Sequence, residues 1–179
     1  TVLQRQPADA TARINLAKLE LQDRNFQRIK ELVSPLVLAS PSAEAPALLL
    51  VAAEHGLQND VAADQVLEQL VKSNPSATLA RALAAGRALR GNKPERTLEY
   101  LAQFDKARIE SSPALLELRG RAHLALAQNA EALGNFERWA HLAPESAAAH
   151  FLHAETLARL GRIRDAEGVA WYIGNGEVR

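Results

Sequence analysis

No cysteine occurs in the 179 residues, which excludes a disulfide framework, a thiolate metal site and a cysteine nucleophile together. Aromatic residues are scarce as well, at 4%. A charge of one sign is missing: 21 basic and 21 acidic residues cancel, whereas binding to nucleic acid or an anionic membrane draws on a one-signed field. Nucleic acid is therefore not an expected partner. Long apolar runs are missing too. The longest, Ala45 to Ala53, has about nine residues against the roughly twenty of a membrane-crossing helix. From Thr1 onward no signal-peptide pattern is visible, and direct membrane insertion is not expected. The local signatures G-x-G-x-x-G, G-x-x-x-x-G-K-S/T, H-E-x-x-H and G-x-S-x-G are absent, so the phosphate cradle, zinc site and nucleophile elbow have no local support. The expectation is a non-enzyme with no cofactor and no metal. What is present is 47% apolar content, enough to bury the core of one ordinary domain.

The chain repeats itself. Pro7, Pro41 and Pro75 lie 34 residues apart, and Pro144 falls 69 beyond Pro75, two periods plus one residue. With each proline taken as punctuation after a second helix, repeats run over 10–43, 44–77, 78–112, 113–146 and 147–179 within a single domain, 1–179. Residues 1–9 then read as the end of a preceding repeat.

Small residues recur at fixed places in this period. Position 8 holds Ala17, Val51, Ala85, Gly120 and Ala154, and position 20 holds Ile29, Ala63, Thr97, Ala132 and Ala166. The fourth unit carries Gly120, Ala132, Phe136, Trp139 and Pro144 at positions 8, 20, 24, 27 and 32. Over nearly the whole chain this pattern resembles the tetratricopeptide repeat, with small residues at positions 8 and 20 and proline at 32. Two departures stand out: Ile109 occupies position 32 of the third unit, beside the extra residue of the Ile109-Glu110-Ser111-Ser112 junction. Position 11, often aromatic in the family, carries Glu20, Glu54, Ala88, His123 and Leu157.

Helical periodicity reaches the same architecture independently. Ala12 to Leu21 and Ala114 to Leu126 place apolar residues at helical spacing and consist largely of strong helix formers. Short breaks fall near the middle of each unit, at Asp23-Arg24-Asn25, Gly56 to Asp60, Gly91 to Pro94, Gln128-Asn129 and Gly161-Arg162. Gly and Asn are expected there to supply the left-handed residue that ends a helix. Asp9, Ser112 and Ser146 stand where they would cap helix starts, with Pro113 at a first helical position. The expected fold class is all-α, a right-handed α-solenoid of roughly ten helices in antiparallel pairs.

Few side chains invite a catalytic or metal reading. His150 and His153 lie three apart on an expected helix and His123 on the preceding unit could approach them, but without strong ligand spacing they read as packing residues. Asp60 with Asp64, and Glu20 with Glu31, read as solvated helix faces. Phe136, Trp139, Trp171 and Tyr172 read as packing between helices, with Trp171 and Tyr172 exposed if a following repeat is missing. The chain is expected to be a fragment of a longer array, and its uncapped end repeats offer a surface for self-association.

The resemblance implies a concave groove lined by positions 2, 5, 9, 12 and 13 of the first helices. Those positions give Ile14, Lys18, Leu21 and Gln22, then Leu48, Ala52 and His55, then Leu79, Ala82, Leu89 and Arg90. The later units give Glu117, Arg121 and Leu124, then Phe151, Glu155 and Arg159, a more charged set in which Glu and Arg could pair within a helix. The lysine and asparagine clamp for the carboxyl terminus of heat-shock chaperones is not visible at positions 5 and 9. The resemblance thus implies a protein-binding scaffold that takes an extended or helical segment of another protein. Sixteen arginines against five lysines, with abundant alanine, suggest a bacterial source. The expected setting is periplasmic, in envelope assembly such as exopolysaccharide export or secretion. The alternatives are a cytoplasmic assembly scaffold and a repeat domain attached to an enzyme outside this segment.

Overall fold

Three of the five repeats begin with a side chain that holds the first turn of a helix. Asp9 Oδ1 accepts from the Ala12 N–H at 3.0 Å, Ser112 Oγ from Leu115 at 3.4 Å and Ser146 Oγ from Ala149 at 3.3 Å, which satisfies donors a helix cannot satisfy itself. The computed structural model describes the backbone of residues 9–175 and side chains as far as Ala170. Eleven helices and no strand are found among the described residues. They are α1 (Ala10–Gln22), α2 (Phe26–Ala39), α3 (Glu44–Gly56), α4 (Asp60–Ser73), α5 (Thr78–Arg90), α6 (Pro94–Leu101), α7 (Lys106–Glu110), α8 (Pro113–Ala125), α9 (Asn129–Leu142), α10 (Ala147–Arg159) and α11 (Ile163–Asn175). The all-α class and the repeated hairpins are as the sequence predicts.

The turn inside each hairpin has one geometry. Position 15 is left-handed in all five repeats: Arg24, Gln58, Asn92, Ala127 and Gly161 have φ of 55, 63, 55, 57 and 75°. The next residue donates its N–H to the carbonyl five back, as in Asn25 to Glu20 at 2.9 Å and Gln128 to His123 at 2.9 Å, the paired-bond closure of a helix C-terminus. Gly and Asn were expected to fill this role, yet Gly161 and Asn92 alone among the five do so. Gly91 precedes the left-handed residue by one place and Gly56 by two, so spacing from the helix end fixes the position and residue type does not. Between repeats, Ser40, Asn74 and Ala143 accept from Ala43, Ala77 and Ser146 at 3.1, 3.1 and 2.9 Å. Pro41, Pro75 and Pro144 take the second place in these four-residue turns, where a fixed φ suits them.

The third repeat corrects the expectation of roughly ten helices. Its second helix stops at Leu101 and a new one starts at Lys106. Asp105 caps this short helix, its Oδ1 accepting from Arg108 at 2.7 Å. Phe104 and Ile109 are buried on either side of the cap. Ile109, at the position where the first, second and fourth repeats have proline, is thereby a core residue.

Contacts between elements divide the chain inside α5 into two compact units, Thr1–Ala84 and Ala85–Arg179. In the first, α1 to α4 pack each on the next and α1 also touches α3, around Ala17, Ile29, Leu50, Ala63 and Leu67. Lys30 Nζ reaches Glu54 Oε1 at 2.9 Å across α2 and α3. In the second, α6 and α7 pack on α8, and α8 to α11 follow in sequence, around Leu101, Leu116, Phe136, Trp139 and Leu157. Positions 8 and 20 lie in these cores, with only Ala154 less than fully buried.

Candidate functional site, a cleft between first helices

The Ser112 and Ser146 caps start α8 and α10 one repeat apart, and Phe136 sets how α8 lies on α9. A Cβ at Gly120 would come within 2.5 Å of the Phe136 ring, so only glycine allows this approach. On the other side of α8, Arg121, Leu124 and Ala125 meet Leu152, Glu155 and Arg159 of α10 around an open cleft of about 490 Å³. Leu152 is buried and Leu124 half-buried, while Arg121 and Arg159 are exposed. An apolar floor is thus rimmed by charge. Arg121 Nε donates to Glu117 at 2.9 Å and Arg159 Nη2 to Glu155 at 2.8 Å, each pair one turn apart on its own helix, worth a few tenths of a kcal/mol. Such pairs break readily in favour of a partner's charges.

Of the other groove residues, Lys18, Leu21 and Gln22 are exposed on α1, Leu48 is half-buried on α3, and His55 is exposed with Nδ1 2.9 Å from Asp60 Oδ1. Ile14, Ala52 and Ala82 are half-buried and Leu79 is exposed. In the second unit Leu89 is half-buried, Arg90 exposed and Phe151 62% exposed. The described geometry gathers Arg121, Leu124, Glu155 and Arg159 into one cleft.

The polar residues at position 11 have a use that the sequence reading missed. Glu20 accepts from the Asn25 side chain at 2.9 Å, Glu54 from Asn59 at 3.1 Å, and His123 Nδ1 lies 2.7 Å from Gln128 Oε1. Each bridge runs from position 11 to position 16, doubling the backbone bond that closes the hairpin. The carboxylates once weighed as pairs are engaged otherwise: Glu20 with Asn25, Glu31 with Arg28 at 2.8 Å, and Asp60 with His55.

His123 is thereby held at its own turn, and it does not line the cleft that holds His150 and His153. That second cleft, about 670 Å³, lies among α9, α10 and α11 and includes Glu137, His141, His150, His153, Arg164 and Asp165. His141, Glu137, Arg164 and Asp165 were not singled out from sequence, since three helices bring them together. Among the described residues no group of three or more His, Cys, Asp or Glu is arranged to hold a metal ion. Burial holds the His153 imidazole below its usual value, with His150 and Arg162 acting in the same direction and Glu137 against them. Trp171 and Tyr172 lie outside the described side chains.

No protein-family model matches the chain, and no curated protein matches it. Solved structures do match. MamA of Desulfovibrio magneticus RS-1 has a TM-score of 0.81 at 15% identity, over 93% of each chain. PilF of Pseudomonas aeruginosa has a TM-score of 0.73 at 16% identity, over 95% of this chain and 77% of PilF. Both are tetratricopeptide-repeat proteins. The fold is that of the tetratricopeptide repeat. A third structure, MamA from AMB-1, has a TM-score of 0.76 at 18% identity, over 93% of this chain and 98% of its own. At these identities the likeness is one of fold.

Proposed function

We propose that the chain is a non-catalytic protein-binding scaffold, and that the cleft between α8 and α10 takes an extended or helical segment of a partner protein. The observation that carries this reading is the cleft itself: an apolar floor at Leu124 and Leu152 under Arg121, Glu155 and Arg159. Apolar side chains of the partner would supply affinity in the floor, and charges on the rim would set orientation. Glu117 and Phe151, on the same two helices, extend this surface; Lys18, Leu21, Gln22 and His55 of the first unit and Arg90 on α5 are exposed and are proposed as further partner contacts, each within its own unit.

The test is retention of partners from envelope and cytosolic fractions of the source organism on the wild-type chain and on Arg121→Glu with Arg159→Glu. Each reversal sets like charges one turn apart and costs roughly 0.2–0.5 kcal/mol, so the variant keeps its fold by circular dichroism. A partner lost by the variant supports the reading. Equal retention by both forms sinks it. The setting we propose is the bacterial periplasm, in assembly of an envelope machine, which rests on the composition bias and the lack of cysteine. Fractionation that finds the protein in the cytosol alone would remove this part.

A further inference from the structure

We propose that the second cleft, among α9, α10 and α11, binds the carboxylates of an acidic peptide segment of another protein under mildly acidic conditions. His141 comes from α9, His150 and His153 from α10, and Arg164 from α11, around about 670 Å³ walled also by Ala140, Pro144 and Val169. No residue is shared with the cleft between α8 and α10. His141, His153 and Arg164 make no hydrogen bond or ion pair among the described residues. Unused cationic or protonatable groups thus converge on one open space. His150 Nε2 donates to the Pro144 carbonyl at 2.8 Å, which fixes the ring at the edge of the cleft.

The charge of this cleft depends on acidity. From α9 come Glu137 and His141, from α10 His150 and His153, and from α11 and the turn before it Arg162, Arg164 and Asp165. Arg162 Nε is bonded to Asp165 at 2.7 Å. At neutral pH the two carboxylates balance the two arginines. Acidification then moves this balance toward positive charge, while peptide carboxylates stay ionised down to about pH 5. The charge of an entering carboxylate offsets the burial and like charges that resist protonation of His153, so proton uptake and binding reinforce each other. The size and apolar walls of the cleft suit a peptide segment better than an isolated small anion.

The test is fluorescence anisotropy of a fluorescein-labelled hexaglutamate peptide with the intact chain, at about pH 5.5 and about pH 7.5, either side of the histidine range. The expected result is roughly tenfold tighter binding at the lower pH, one histidine-linked unit of affinity. His141→Gln with Arg164→Gln, both exposed, and separately His153→Gln, should each lose most of this gain. Arg121→Glu with Arg159→Glu should keep the ratio between the two pH values. The proposal is overturned by equal affinity at both pH values, by a gain that survives His141→Gln with Arg164→Gln, or by one lost equally in the arginine reversals. Tighter binding of a labelled DNA oligonucleotide of equal charge would overturn the choice of carboxylate. If His153→Gln fails to fold, the exposed double variant decides.

Discussion

Gly120 faces the ring of Phe136 so closely that a Cβ would lie 2.5 Å from it, whereas a Cβ at Gly134 would meet nothing within 4 Å. The two glycines share a repeat and should respond in opposite ways. Gly120→Leu is expected to destabilise by about 1–3 kcal/mol through overpacking. Gly134→Ala, inside α9 and exposed, should stabilise by roughly 0.5–1 kcal/mol because alanine costs less to order in a helix. Urea denaturation of both variants checks the sign. Ala127 offers a third case, an alanine at φ 57° where the left-handed backbone strains any Cβ. Ala127→Gly should raise stability by about 0.5 kcal/mol, the net of relieved strain and greater freedom in the unfolded chain. An unchanged or lowered midpoint would mean that the turn is held by other bonds, such as that of His123 with Gln128.

At the scale of elements, the broken second helix of the third repeat shows where periodicity alone misleads. The family pattern asks for proline at position 32, and Ile109 stands there instead, 4% exposed, with its N–H donated to Asp105 at 3.2 Å. Ile109→Pro, which restores the repeat pattern, should therefore destabilise by about 3 kcal/mol or more, since it removes a buried side chain and a capped turn's hydrogen bond together. A denaturation midpoint as high as wild type would show that α7 contributes little to the second unit. The signal for the break was legible in Asp105, a good cap followed by helix formers. Regular spacing of the other prolines outweighed it, and the burial of Phe104 and Ile109, which settles the matter, is a tertiary fact.

For the whole molecule, the link between stability and mild acid that the structure resolves runs through His153. His153 binds its proton less readily when folded than when unfolded. The unfolded chain therefore takes up the proton first as pH falls below about 6.5, and stability is full above that value and declines below it. Thermal melts from about pH 7.5 to about pH 5.5 should show this decline. His153→Gln should flatten it. A wild-type curve that rises toward acid would contradict the direction of the shift.

Sequence by itself determined the repeat length, the helical class, the helix caps at Asp9, Ser112 and Ser146 and the small positions 8 and 20, because each depends on local backbone chemistry or on a contact repeated in every unit. The groove faces of α8 and α10 came from the resemblance to the tetratricopeptide repeat and not from the period. Tertiary structure decided what no period encodes: the break between α6 and α7, and the gathering of His141, His150, His153 and Arg164 around one cleft. Those features rest on burial and on side chains from different helices, where proximity is a property of the packed hairpins and not of distance along the chain.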